Sequence, residues 1–256
     1  MLSRVAALLS FTLSLTAYAG PRALVYSGPG ACPEGCAEAA AEVARHAGFE
    51  PTFVGAHEAD AAIFQGVSVW IQPGGKSSTA SQAMLPALKD NIRAFVRAGG
   101  GYTGFCAGGF LATAMIADRG VEGLGLLPGV NALYPSELDY VIFPVLWLGT
   151  LRHLYWEGGP YFTLGTNETL GTNEAAEAVA TYPDGSVASV RADYGTGKVF
   201  VTGLHPEAPQ SWRDYYRLQD EDGLDLDLAA DMVRWSSGVR TLSSTGSPAR
   251  RRLLRE

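Results

Sequence analysis

The chain predicts an α/β protein of three layers, helices on both faces of a mostly parallel sheet, with an antiparallel or mixed insertion in its second half. Three observations predict it. From residue 23 to about residue 117, short apolar runs alternate with helical periods, strand then helix three times over. Glycine-rich turns fall where the apolar runs end. Beyond residue 120 the pattern changes to short strands divided by turns, among them Pro183-Asp184-Gly185, a hairpin signal.

Ala23-Leu24-Val25-Tyr26-Ser27 is apolar with turn residues behind it and reads as a first buried strand. Gly28-Pro29-Gly30 then feeds a helix over about residues 33–47, with Pro33 in its first turn and Gly48 as its stop. Residues 51–54 read as a second strand, 57–60 as a polar loop and 67–72 as a third strand that ends in Pro73-Gly74-Gly75-Lys76-Ser77-Ser78. Met84, Leu85, Leu88, Ile92, Phe95 and Val96 recur at helical spacing, which predicts one amphipathic helix over 79–98, closed by Gly99-Gly100-Gly101. A strand then leads into Gly104-Phe105-Cys106-Ala107-Gly108, and the run to residue 117 reads as helix. In the second half, 140–143, 153–156, 178–182 and 186–192 read as strands; the aromatic residues concentrated there are expected mostly in the core, and His153 as a strand histidine. Residues 197–202 read as a strand and 224–235 as a last helix. From residue 236 onward Ser, Gly and Pro, with Arg250-Arg251-Arg252, predict a disordered tail, set at 240–256.

Residues 1–19 read as a secretory signal: Arg4 supplies the charged start, residues 5–15 an apolar core, and Ala17-Tyr18-Ala19 a small-x-small cleavage site. That apolar core is shorter than the roughly 18 residues of a spanning helix. The expected product begins near Gly20, is periplasmic or secreted, keeps no stable membrane anchor, and forms one domain over 20–239. Its composition, 47% hydrophobic and 18% charged, supports a packed core. Loss of Arg4 takes the net charge from −7 to −8, which makes nucleic acid a poor partner.

The chemistry centres on Cys106. Glycines two residues before and two after a cysteine, between a strand and a helix, fit a strained elbow that exposes a nucleophile. Unpaired N–H groups of the following helix favour the thiolate, and the close glycines let a substrate carbonyl approach the backbone. About a hundred residues on, Gly203-Leu204-His205-Pro206-Glu207 follows another strand. Proline biases His205 toward an extended backbone, so His205 and Glu207 project to one side, as a base and its orienting carboxylate. Pro73-Gly74-Gly75, Cys106 and His205 each follow a predicted strand, and in a parallel sheet they converge on its carboxyl edge.

Cys32 and Cys36 bracket Pro33-Glu34-Gly35. In an oxidising compartment a local disulfide is open to them, although a regular helix orients two such side chains poorly for it. No cofactor is expected. The Pro73 loop lacks the spacing of a phosphate-binding loop, no Cys or His pair has zinc-ligand spacing, and the acidic stretch 220–227 lacks the central glycine of a calcium hand.

Together these residues resemble the class I glutamine amidotransferase-like superfamily, whose domains carry a cysteine elbow and a later His-x-Glu pair; its flavodoxin-like fold is the one expected here. Within it the chain is similar to the biotin-protein ligase N-terminal domain family, also through residues 23–30, Ile71-Gln72-Pro73-Gly74-Gly75 and Trp156-Glu157-Gly158-Gly159-Pro160. The resemblance runs from about residue 22 to about residue 207. It implies a Cys106–His205–Glu207 triad, and an oxyanion site from Gly74, Gly75 and Ala107 beside Gly108. It also implies that the Gly158-Gly159 segment reaches the substrate pocket. Glutamine-using relatives carry glutamine two residues after the elbow glycine, where this chain has Phe110 after Gly109, so glutamine is not the expected substrate. The function expected is a cysteine-dependent amidase or hydrolase acting on a small-molecule or peptide amide. A non-catalytic ligand-binding or thiol redox-sensing protein on the same fold is the alternative.

Overall fold

The computed structural model describes residues 20–116, 119–135, 139–165 and 176–238. The signal over 1–19 and the tail over 240–256 therefore lie outside the described residues.

Strand β1 (Arg22–Tyr26) is followed by α1 (Cys36–His46), β2 (Glu50–Val54), a 3-10 turn (Ala61–Phe64) and β3 (Val67–Gln72). Then come α2 (Ser77–Ala83), α3 (Pro86–Arg97), β4 (Gly101–Phe105) and α4 (Ala107–Ala112). The second half contributes β5 (Met115–Ile116), β6 (Val121–Glu122), β7 (Val130–Leu133), β8 (Tyr140–Trp147), β9 (Thr150–Glu157), β10 (Tyr161–Leu164), β11 (Glu177–Thr181) and β12 (Val187–Tyr194). It closes with β13 (Gly197–Thr202), α5 (Gln210–Tyr216) and α6 (Leu226–Ser237).

An 11-stranded sheet carries the fold, in the order β2-β1-β3-β4-β13-β12-β11-β8-β9, with β10 on β12 and β7 on β10. The strands from β2 to β13 pair in parallel, and every pairing from β12 outward is antiparallel. This is the predicted division between a parallel half and a mixed insertion. Both faces of the parallel half are covered, so its strands are apolar at successive positions rather than at alternate ones. Leu24, Tyr26, Trp70, Tyr102, Val199 and Val201 point into the core under α2, α3 and α4. Their neighbours Ala23, Val25, Val69, Ile71, Phe105 and Phe200 point the other way, into the core under α1 and α6.

Three helix boundaries differ from the sequence expectation, each for a local reason. The first helix starts at Cys36, not residue 33, because Gly35 adopts a left-handed conformation (φ 95°) inside a loop that the Cys32–Cys36 disulfide closes. With the bridge formed across that turn and its Cα atoms 5.3 Å apart, the unfavourable geometry of a regular helix does not arise. The single helix expected over 79–98 is two helices. Pro86 has no N–H and drives Leu85 to ψ 143°, so α2 stops and α3 begins at the proline. The helix after the elbow ends at Ala112, where Thr113 turns extended with its hydroxyl against the Phe110 carbonyl at 2.8 Å. Residue 117 of that expectation lies outside the described residues.

The acidic stretch is used structurally. Arg213, fully buried, pairs with Asp220 at 2.6 Å and Asp225 at 3.2 Å, while Arg152 pairs with Asp222, Asp225 and Asp227. His153 sits in β9 as expected, against Glu221 and Asp222. Among the described residues no group of three metal-ligating side chains gathers, and no helix is long and apolar enough to cross a membrane.

Candidate active site

Strands β3, β4 and β13 lie side by side and end together: Gln72 is level with Gly104, and Phe105 with Thr202. The loop after each therefore opens on the same edge, which is how residues 74, 106 and 205 become neighbours. The Cys106 N–H donates to the Thr202 carbonyl at 2.8 Å, which fastens the elbow to the strand that leads to His205.

Cys106 itself has φ 46° and ψ −101°, a conformation that L-residues rarely adopt and that costs roughly 1–3 kcal/mol. The turn is possible because Gly104 has no side chain; a Cβ there would stand 2.7 Å from the Gly108 backbone. The thiol ends up 5% exposed and is the free cysteine of the described chain, within reach of the Glu157 carbonyl at 3.7 Å.

His205 and Glu207 are slightly more buried still, at 3% and 4% exposed. His205 Nδ1 lies 2.8 Å from Glu207 Oε1, and the imidazole lines the same cleft as Cys106, close enough for the two side chains to interact electrostatically. With Nδ1 donating to Glu207, Nε2 is the nitrogen left for sulfur. Burial works against a charged imidazole, but Glu207 and Cys106 together outweigh it and hold His205 well above the ordinary histidine value. The other oxygen of Glu207, Oε2, has no hydrogen-bond partner among the described residues. An imidazole oriented by a carboxylate beside a thiol is the arrangement that can activate a cysteine for attack on a carbonyl.

Gly74 is what lets the imidazole lie where it does. A Cβ on it would fall 2.6 Å from His205 Cε1 and 3.4 Å from the Cys36 sulfur. Gly75, at φ 129°, is held by the disulfide loop, whose Gly30 carbonyl accepts from the Lys76 N–H and whose Cys32 N–H donates to the Gly74 carbonyl. The N–H groups of Gly75 and Ala107 have no hydrogen-bond partner among the described residues, and both stand beside Cys106. Gly158 lines a cleft next to the cysteine. Gly108 and Gly159 instead pack against backbone, the first on Gln72 and the second on Gly203.

Two clefts meet at Gly75, Cys106 and Glu157. One, of about 310 Å³, runs past His205 and the Cys32–Cys36 bridge to Tyr155, Trp212, Tyr215 and Tyr216. The other, of about 450 Å³, is bounded by Lys76, Arg119, Tyr134, Tyr140 and Phe110. Phe110, in the position where glutamine was absent, stacks on Tyr134 with centroids 4.0 Å apart. A larger cavity, about 550 Å³, lies at the opposite ends of the strands against Phe64, Phe95 and Gly100, away from this chemistry.

The aromatic wall was not assigned to the site from sequence. Trp212, Tyr215 and Tyr216 follow helical spacing i, i+3, i+4, which does place them on one face of α5. That spacing was the available signal, but nothing in it says which cleft the face covers. Tyr155 and Trp212 bracket the imidazole edge-on, at 5.8 and 5.6 Å between centroids.

Residues 22–119 match the family described as biotin-protein ligase, N terminal. A biotin–protein ligase of Schizosaccharomyces pombe is 28% identical over 158 residues, covering 54% of this chain and 25% of that protein. The chain thus spans about a quarter of the length of the curated relative it matches. Among solved structures, PurLQS from Thermotoga maritima aligns with a TM-score of 0.57 at 18% identity, covering 84% of this chain and 97% of that one. A glutamine amidotransferase aligns at 0.55 and 21% identity, covering 80% and 98%. At these identities the likeness is one of fold. Over residues 22–119 the chain resembles the N-terminal family of biotin–protein ligases, and its fold is that of the glutamine amidotransferases.

Proposed function

We propose that the chain is an exported, cysteine-dependent amidase, working in the periplasm or outside the cell after cleavage near Gly20. The observation that carries the reading is His205, held 2.8 Å from Glu207 and sharing the wall of an open cleft with Cys106. The Cys32–Cys36 bridge supports an oxidising compartment.

Cys106, its proton already on His205 Nε2, attacks the amide carbonyl. A carbon–sulfur bond forms and the carbonyl π pair moves onto oxygen, towards the free N–H groups of Gly75 and Ala107. Each such donor is worth roughly 2.7–4 kcal/mol in the transition state. As the oxyanion collapses, the carbon–nitrogen bond breaks and His205 gives its proton to the departing amine. Water then gives a proton to His205 while its oxygen bonds to the thioester carbon, and the carbon–sulfur bond breaks to return the thiolate–imidazolium pair and a free acid. Glu207 holds the imidazole in register throughout.

A screen of amide and γ-glutamyl substrates with wild type and Cys106→Ala tests this. Hydrolysis by wild type alone is expected, and equal inertness of both proteins overturns it. One observation favours the alternative of thiol redox sensing: the disulfide and Cys106 line the same cleft. In that event the wild type is inert towards amides, and peroxide converts Cys106 to a sulfenic acid that a thiol reverses.

A further inference from the structure

We infer that the cleft between the disulfide and α5 receives a cationic ammonium group of the substrate, held by the Glu157 carboxylate within a ring of aromatic side chains. This deepens the amidase reading and rests on it for the position of the scissile amide.

Glu157 ends β9 beside the nucleophile, its own carbonyl 3.7 Å from the Cys106 sulfur. Its carboxylate accepts from the Tyr155 hydroxyl at 3.1 Å. Among the described residues no lysine, arginine or histidine pairs with it, although the acidic residues of the neighbouring stretch are taken up by Arg152 and Arg213. The cleft of about 310 Å³ that Glu157 shares with Cys106 is lined by no lysine or arginine; its walls are Tyr155, Trp212, Tyr215 and Tyr216, with Glu34 and the Glu207-paired His205 as its other charged groups. Tyr216 meets its fellow wall residue Tyr215 edge-on at 4.9 Å and stacks at 4.0 Å on Tyr140, which lies outside this cleft.

A carboxylate and aromatic rings around a small open volume share one preference. The negative faces of the rings attract a cation, and tryptophan does so most strongly. An anionic group in the same place would meet Glu157 and Glu34, and the one basic side chain on the lining, His205, already has its charge matched by Glu207. A neutral apolar group would fill the volume but leave the carboxylate without a counter-charge. The cleft begins at Cys106, so an amide carbonyl placed on sulfur puts the charged end of its substrate a few bonds away, among Trp212 and the tyrosines. Amides of diamines, of amines that carry a quaternary ammonium group at their far end, and of lysine-like chains have this form.

The test uses choline and its neutral isostere 3,3-dimethylbutan-1-ol, with butyrate as an anionic control. Binding is followed by tryptophan fluorescence and calorimetry on Cys106→Ala, which keeps the cleft without the nucleophile. Choline is expected to bind about tenfold or more tightly than its isostere, and Glu157→Gln to lower that preference about tenfold at an unchanged Tm. Equal binding of choline and the isostere, stronger binding of butyrate, or a Glu157→Gln protein that binds choline as well as its parent overturns the inference. A second variant, Trp212→Leu, is expected to weaken choline more than the isostere; equal losses for both also overturn it. The two readings fail separately. Choline selectivity in a protein inert towards every amide leaves this inference standing and removes the amidase, whereas turnover of neutral or acidic amides in preference to cationic ones removes this inference and keeps the amidase.

Discussion

Cys106 occupies a strained turn and His205 a buried one, and both depend on residues with no side chain, Gly104 and Gly74. The imidazole is the residue on which pH acts. Its value in the folded chain lies well above that of a free histidine, with burial opposing and Glu207 and Cys106 prevailing. A raised histidine adds stability that is complete below the unfolded value of about 6.5 and disappears as pH rises through the folded one. The unfolding free energies of wild type and His205→Gln are therefore expected to differ most near pH 6 and to converge under alkaline conditions, measured by denaturant titration at both ends. The same pair governs reactivity. Alkylation of Cys106 by iodoacetamide is expected to change little between about pH 6 and about pH 8 in wild type. In His205→Gln it should climb with pH as an unassisted thiol does. A wild-type profile that climbs in the same way removes the activated pair. Cys106, His205 and Glu207 were all legible from sequence, because an elbow and a His-x-Glu spacing are local patterns. Tyr155 and Trp212 were not, since their place beside the imidazole comes from β9 and α5 arriving from distant parts of the chain.

At the scale of elements, the strands of the parallel half were read closely, and the helices failed where a single residue overrode periodicity. Pro86 splits one apolar stripe into α2 and α3, and the apolar residues on either side of it still face the same core. The helix α5 has no strong start or stop signal. It is fixed by Arg213, whose guanidinium, wholly buried, donates to the Ala208 carbonyl at 2.7 Å and pairs with Asp220 and Asp225. Ala208 follows Glu207 directly, so this arginine ties the wall of the cleft to the end of the His205–Glu207 segment. Arg213→Ala strands Asp225 in the interior without one of its cations. It is expected to cost about 3 kcal/mol or more in denaturant unfolding, and also to slow Cys106 alkylation. A protein of unchanged stability would mean that Arg152 alone satisfies Asp225.

For the whole molecule, the three cysteines divide into a bridge and one free thiol. Protein isolated from an oxidising compartment is expected to titrate one thiol per chain in denaturant and three after reduction, with an intact mass that starts at Gly20. A count of three before reduction, or a retained leader, counts against export. What the sequence by itself determined is the alternation of strands and helices, the parallel half with its mixed insertion, and the identity of the Cys, His and Glu, because each of these is written in spacings of a few residues. What only the tertiary structure decided is that Gly74 lies under the imidazole, that the disulfide faces the same cleft as Cys106, and that Glu157 shares that cleft with Tyr155, Trp212, Tyr215 and Tyr216. Those are contacts between segments separated by tens to more than a hundred residues. Their partners are selected by strand register and by the packing of both sheet faces, which no local pattern of residues encodes.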